Sequence, residues 1–319
     1  MSNTSKTVLI TGATAGIGRM TALHLTKLGH RVIASGRKVS ELAKLKEEAA
    51  SLGTLDTLVL DVTSKESIDA AVATVNQMTG GQGLDVLVNN AGFGVLGPTS
   101  EIDDAEMRRQ YDTNVFGLMA VTRAFLPKMR ERRAGRIINV SSVGGRITLP
   151  FFGVYNSTKY AVESLSDALR YELRAFGIDV SLIEPGVIRT NFEATAVGNL
   201  SQFEGTPYAA AVAKYEQMSK SADRFASNPI VIAKAIARAV SARRPAARYV
   251  APRTTNVALW MSAILPTRVW DWAMRKVAFL TPKTLGTDGA VTSPAGAKPA
   301  VPVTRVHGSP TAQPRASAN

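Results

Sequence analysis

Tyr155 and Lys159 stand four residues apart in the run Tyr155-Asn156-Ser157-Thr158-Lys159. On a helix that spacing puts both side chains on one face. A free phenol has a pKa of about 10, too high for proton transfer near neutrality, and a neighbouring ammonium favours the phenolate and lowers it. The pair therefore reads as an acid/base, able to give a proton to a carbonyl oxygen or to take one from an alcohol. The plain alternative for Tyr155 is a half-buried core aromatic. Other chemistries have little to work with. The chain has no cysteine, which excludes disulfides, thiolate metal sites and thiol nucleophiles. Its three histidines, His24, His30 and His307, lack metal-ligand spacing.

A second constellation lies near the amino terminus. Thr11-Gly12-Ala13-Thr14-Ala15-Gly16-Ile17-Gly18 follows a strand-like run and opens a helical pattern, the context a dinucleotide-binding turn requires. The spacing is G-x-x-x-G-x-G rather than G-x-G-x-x-G, but the physics is shared: Gly12 permits a tight turn, Gly16 and Gly18 allow close backbone approach, and the helix amino terminus attracts a pyrophosphate. A site selecting NAD carries an Asp or Glu at the end of the second strand to bind the ribose. Here the stretch reads Ala34-Ser35-Gly36-Arg37-Lys38. It has no carboxylate, and a guanidinium holds a 2′-phosphate through charge-assisted bonds. The sequence thus predicts NADP(H) over NAD(H), with Arg37 as main determinant and Ser35 and Lys38 as helpers. An ordinary exposed basic turn is the bland alternative.

The elements that position these groups follow from periodicity. Strand candidates are Thr7–Thr11, Arg31–Ser35, Thr57–Asp61, Asp85–Asn89, Arg136–Ser141, Asp179–Glu184 and a closing Arg248–Ala251; helix candidates lie near 17–28, 39–51, 64–78, 103–132, 153–176 and 229–242. Alternation of this kind predicts an α/β fold, a Rossmann-type doubly wound parallel sheet with right-handed crossovers and ligands at the carboxyl ends of its strands. Gly29 and Gly177 stand where left-handed helix caps are wanted. The organisation predicted is one domain over residues 1–285, with a substrate loop at 191–227 and a short helical extension at 256–279. The Pro-, Ala- and Ser-rich residues 286–319 are expected to be disordered, because they hold almost no large apolar side chain.

Several motifs, in order and spacing, resemble the short-chain dehydrogenase/reductase family in its single-domain form: Thr11 to Gly18, Asp61-Val62, Asn89-Asn90-Ala91-Gly92, Asn114, Ser142, Tyr155-x-x-x-Lys159 and Pro185-Gly186-x-x-x-Thr190. The likeness runs from about residue 6 to about residue 255. It implies an oxidoreductase with Asn114, Ser142, Tyr155 and Lys159 as catalytic residues. Ser142 would hydrogen-bond the substrate oxygen, its neighbour Ser141 being disfavoured by spacing, and Asn114 would hold a water linking Lys159 to solvent. The resemblance also implies that Asp61 and Val62 meet the adenine, that Asn90, Ala91 and Gly92 stabilise the central strand, and that Lys159 holds the nicotinamide ribose. Val187, Ile188 and Thr190, after Pro185-Gly186, would bind the carboxamide. Two other functions fit parts of the pattern: a sugar-nucleotide epimerase or dehydratase, and an NADP(H)-binding regulator without turnover. The tyrosine, which pure binding does not need, speaks against the second.

Phe192, Phe203, Tyr208 and Tyr215, with Phe151, Phe152 and Val154 ahead of Tyr155, favour a hydrophobic alcohol or ketone over a sugar. The carboxyl-terminal arrangement is similar to that of hydroxysteroid and retinol dehydrogenases in the family. Residues 256–279 hold all three tryptophans, flanked by Arg253, Arg268, Arg275 and Lys276. They are open to use as a lid, an oligomer contact in a homodimer or homotetramer, or an interfacial membrane helix, or to ordinary packing. The net charge of +13 gathers at Lys128 to Arg136 and at Arg243, Arg244, Arg248 and Arg253. These patches are open to anionic-lipid attraction, to non-specific nucleic-acid binding, or to reading as a solvated helix end and a basic loop; no nucleic-acid motif accompanies either, and the expected partner is a hydrophobic small-molecule substrate. A 45% hydrophobic and 20% charged composition is that of a soluble globular protein. The amino terminus shows no apolar stretch of signal-peptide length, so a cytoplasmic protein is expected, membrane-associated if residues 256–279 lie on lipid.

Overall fold

In the computed structural model, residues 5–190, 200–222 and 226–287 are described. Seven strands build one parallel sheet: β1 (Thr7–Ile10), β2 (Arg31–Gly36), β3 (Leu55–Val59), β4 (Val86–Asn89), β5 (Gly135–Val140), β6 (Ile178–Pro185) and β7 (Arg248–Ala251). Their order is β3-β2-β1-β4-β5-β6-β7. The helices are α1 (Gly16–Lys27), α2 (Val39–Ala49), α3 (Lys65–Met78), α4 (Asp104–Tyr111), α5 (Leu118–Arg132), α6 (Gly153–Leu173), α7 (Ala209–Ala222), α8 (Ile230–Ser241), α9 (Asn256–Ile264) and α10 (Thr267–Val277).

Period-two alternation sorts the strand side chains onto two faces. Val8, Ile10, Val32, Ala34, Val86 and Val88 pack with α1, α2 and α8. The intervening Leu9, Ile33 and Leu87 pack with α3, α5 and α6. The sheet is therefore covered on both sides, as a doubly wound sheet must be. Gly29 (φ +85) and Gly177 (φ +66) occupy the left-handed conformation expected of them.

Three local differences from the sequence reading have physical causes. β3 begins at Leu55, because Val32 to Gly36 of β2 register with Leu55 to Val59; Asp61 and Val62 are thereby left in the loop beyond the strand. The helix expected over 103–132 contains a π-helical turn, Asp112–Gly117, between α4 and α5. Gly117 approaches so closely there that an added Cβ would lie 2.8 Å from the Val62 carbonyl oxygen. Residues 190–228 show weak periodicity, yet α7 forms within them.

Much of the basic sequence is tied down internally. Arg136 donates to the carbonyls of Ala239 (2.7 Å) and Val240 (2.6 Å), Arg133 donates to Ala175 O (2.9 Å), and Lys128 pairs with Glu131 (2.8 Å). Of the expected tail, only Gly286 and Thr287 fall among the described residues. Among the described residues, no helix is long and apolar enough to cross a membrane, and no cluster of three His, Cys, Asp or Glu could hold a metal ion.

Candidate active site

Strand order reverses between β1 and β4, so loops leaving their carboxyl ends diverge and open a crevice. The glycine turn lines it. Gly12 (φ +65) and Gly16 (φ +52) adopt left-handed backbone, and a Cβ on Gly12 would sit 2.8 Å from Ala91 Cα. Asn90 clamps this turn: its Nδ2 donates to the carbonyls of Thr11 (2.9 Å) and Gly12 (3.0 Å). Gly18 packs against Gly12 and Asn90 from the helix side. The amide groups of Asn90 and Ala91 donate in turn to the Thr11 hydroxyl at 2.9 and 3.0 Å. α1 starts at Gly16 without a side-chain cap, leaving its first amides, with Ile17, to an anionic ligand. A dinucleotide pyrophosphate fits this cradle.

At the end of β2 the groups divide by direction. Arg37 and Lys38 are exposed. Ser35 is fully buried and its hydroxyl donates to Ile10 O at 3.0 Å, so the side chain faces β1 instead of the crevice. The Ser35 carbonyl accepts from Ala13 N (2.7 Å), so this residue holds the glycine turn against the end of β2. Thr14 lies over Gly36. Asp61 accepts from the amide and the hydroxyl of Thr63 at 2.9 and 2.7 Å, which holds its carboxyl below the usual range, with Arg37 adding to the effect. Val62 is buried beside it. On the far side, Gly186 N donates to Ala251 O (2.9 Å), and Arg189 N and Val187 O bond to Ser227 at 2.9 and 3.1 Å. Ile188 is buried. Thr190 stands against Gly16, 3.4 Å from a Cβ added there, so the stretch after Pro185 closes on the glycine turn.

The four residues Asn114, Ser142, Tyr155 and Lys159 converge at the carboxyl ends of β4 and β5. Ser142 caps a short turn, its Oγ accepting from Gly144 N at 3.0 Å, and it hydrogen-bonds the Tyr155 phenol. Ser141 is buried and turns into the core beside Gly145. Lys159 Nζ donates to Val140 O at 2.9 Å and lies 5.8 Å from the centroid of the Tyr155 ring. Asn114, in the π-helical turn, donates to Phe93 O (2.8 Å) and Thr158 Oγ1 (3.1 Å) and accepts from Phe93 N (3.1 Å). It thus joins α6 to the loop after β4. A π-turn inside an α-helical run frequently marks a functional site.

Electrostatics differ from the expected direction. Burial pushes the Tyr155 phenol up to about 12, and the hydrogen bond from Ser142 opposes this. Burial brings Lys159 down to about 8, with Glu163 one turn along pulling it up. In this pocket desolvation of the phenol outweighs the Ser142 hydrogen bond. At neutral pH Tyr155 is protonated, the form that donates a proton, and Lys159 is charged.

An apolar wall rises beside the phenol. Phe151, Val154 and Phe203 are buried in one cluster with Val95, Leu96 and Ile102, and Phe152, Tyr208 and Tyr215 pack against it. The Phe152 ring lies between Tyr155 (6.4 Å between centroids) and Tyr215 (6.2 Å). Phe192 lies outside the described residues. Two contributors were not named from the sequence: Val95, Leu96 and Ile102 after β4, and Leu280 and Leu285 from beyond α10; Ala278, in the segment 256–279 that the sequence left open as a lid, joins them. Thr158 was also missed, although the polar Asn156-Ser157-Thr158 between Tyr155 and Lys159 is an available signal.

A Rossmann sheet with a glycine turn at its switch point and a buried Tyr/Lys/Ser/Asn group beside it defines a nicotinamide-dependent oxidoreductase of CH–OH and carbonyl groups. The short chain dehydrogenase pattern matches residues 6–222, and the chain belongs to that family. It is 38% identical over 266 residues to the uncharacterized oxidoreductase YbbO of Escherichia coli, covering 83% of this chain and 93% of that protein. It is 35% identical over 272 residues to a 3-ketodihydrosphingosine reductase of Bacteroides thetaiotaomicron (84% and 96% covered). An actinorhodin polyketide ketoreductase crystallised with NADPH superposes with TM-score 0.67 at 30% identity, covering 78% of this chain and 97% of that one.

Proposed function

We propose that the chain is an NADP(H)-dependent reductase of hydrophobic, lipid-like ketones or aldehydes, with Asn114, Ser142, Tyr155 and Lys159 as its catalytic group. The observation that carries the substrate class is the apolar wall: Phe152 lies directly against Tyr155 and is backed by Tyr215 and the buried Phe151 and Phe203. A sugar would leave its hydroxyls unpaired there. The relative named as a ketodihydrosphingosine reductase and the ketoreductase neighbour support the same class and the reductive direction.

Bound NADPH supplies the hydride that adds to the carbonyl carbon. Arg37 and Lys38 would hold its 2′-phosphate, the first amides of α1, from Gly16 to Gly18, its pyrophosphate, and the stretch Val187 to Thr190 the carboxamide end. Ser142 donates a hydrogen bond to the substrate oxygen and fixes it beside Tyr155. Tyr155, held protonated by burial, gives that oxygen its proton. The charged Lys159, anchored on the Val140 carbonyl, stabilises the phenolate left behind. Asn114 fixes the Phe93 loop against α6 and so sets the near wall of the pocket.

A panel of long-chain 3-keto compounds, steroid ketones, retinal and hydroxylated sugars, followed by NADPH absorbance, tests the reading. The apolar carbonyls should show kcat/KM at least about tenfold above the sugars, the least that a single methylene gives in an apolar pocket. A preference for the sugars would overturn the substrate class.

A further inference from the structure

α9 is amphipathic in the reverse sense. Leu259 turns inward and is buried. Val257, Trp260, Met261 and Ile264, at i, i+3, i+4 and i+7, share the outer face and are 62%, 69%, 48% and 71% exposed. No charged residue interrupts α9. Isolated exposed apolar side chains need no explanation, but a continuous stripe of this kind marks a docking face.

The neighbouring surface indicates what docks. Just ahead of α9, a groove between α1 and α8 is lined by His24, Lys234, Arg238 and Arg253, and no carboxylate contributes to it. Lys234, Arg238 and Arg253 are exposed, and none of the three enters an ion pair among the described residues. Burial, then Lys234 and Lys27, press the imidazole of His24 towards its neutral form, as a concentration of positive charge requires. Beyond α9, Arg268, Arg275 and Lys276 stand exposed on α10 with a single acid, Asp271, among them. A second copy of the chain would bring the same positive charge against this surface, whereas anionic headgroups would neutralise it. Tryptophan beside basic side chains suits the boundary between headgroup and acyl chain.

We propose that α9, with the basic groove between α1 and α8, docks on an anionic phospholipid surface, the stripe from Val257 to Ile264 entering the acyl boundary and Lys234, Arg238 and Arg253 meeting lipid phosphates. The chain beyond α10 runs from this face to the substrate wall, where Ala278 and Leu280 pack, so the docked surface and the pocket share one segment. The docking does not rest on the substrate reading, because it is measured with no substrate present.

The test is co-sedimentation of the full chain with phosphatidylcholine vesicles, with and without about one-third phosphatidylglycerol. The wild type should bind the anionic vesicles, bind the neutral ones at least about tenfold more weakly, and release as salt is raised. Trp260→Ser/Ile264→Ser and Lys234→Glu/Arg238→Glu should each weaken binding about tenfold or more while NADPH affinity stays that of the wild type, which verifies folding. Equal binding to both vesicle types, or unchanged binding by either variant, overturns the proposal. So does sedimentation velocity showing that the apolar variant separates an oligomer that has no vesicle affinity, since the stripe would then join two copies.

Discussion

Lys159 carries a charge in a place that disfavours it, and the cost has a definite pH signature. The residue is 7% exposed, and burial lowers its pKa from 10.5 to about 8. Because the folded-state value is the lower one, folded protein sheds this proton before unfolded chain does. Between about pH 8 and 10.5 the unfolded state binds more protons, so stability rises with pH over that window. Below pH 8 the full penalty is present, on the order of 3 kcal/mol; above 10.5 it is gone. Other groups titrate in the same range, so the quantity to measure is the difference between wild type and Lys159→Met, in which they cancel. Urea unfolding at pH 7 and pH 10 should show the wild type gaining about 2.5 kcal/mol relative to the variant. A difference independent of pH would refute the account of a desolvated ammonium beneath Tyr155, and a change of opposite sign would mean that Lys159 is stabilised by an anionic partner.

Three further outcomes follow from the geometry. Arg37→Ser should raise the KM for NADPH by about tenfold or more and leave that for NADH nearly unchanged, since a charge-assisted pair with the 2′-phosphate contributes roughly 1.5–3 kcal/mol; steady-state kinetics with both cofactors checks it. Gly97→Ala would place a methyl group against the Phe203 ring, so KM for an apolar carbonyl should rise while NADPH affinity, read by fluorescence, is unchanged. Arg248 bridges Glu184 (3.1 Å), Glu163 (3.1 Å) and Asp167 (2.7 Å). Burial already pushes both glutamates up. Arg248→Met leaves Glu184 paired with Arg146 and Asp167 with Arg170 but takes the ion pair from Glu163, so it should destabilise by about 3 kcal/mol at pH 8 and by less at pH 5, where protonation relieves Glu163; thermal melts at the two pH values decide it.

How much of this was legible in the sequence depends on whether the signal is local. The glycine turn, the strand alternation and the Tyr155/Lys159 spacing are set by residues adjacent along the chain, and all seven strands follow them to within two residues, whereas the helix expected over 103–132 is interrupted by the π-turn. The site features that escaped are those made by distant segments. Nothing near Ser35 announces that its hydroxyl is consumed by Ile10 across the sheet. The π-turn at Asn114 answers to Val62 and Phe93, which a 3.6-residue period does not register. The wall beside Tyr155 draws on Val95, Leu96 and Ala278, separated from it by 59 or more positions. The pKa of Tyr155 is expected to fall under the joint pull of Lys159 and a bound nicotinamide cation, yet among the protein's own groups burial, which only the fold reveals, governs it. The basic run from Lys128 to Arg136 could be seen, but not that its arginines fasten carbonyls of other elements.

The central claim is that Tyr155 donates the proton in carbonyl reduction within a site built to bind NADPH. Tyr155→Phe removes one oxygen and keeps the ring between Lys159 and Phe152. Single-turnover NADPH oxidation with a long-chain 3-ketone, alongside NADPH affinity measured on the same sample, tests the claim directly. The expected result is a loss of turnover of about 100-fold or more with NADPH affinity within about twofold of the wild type. Turnover that survives the substitution would contradict the assignment.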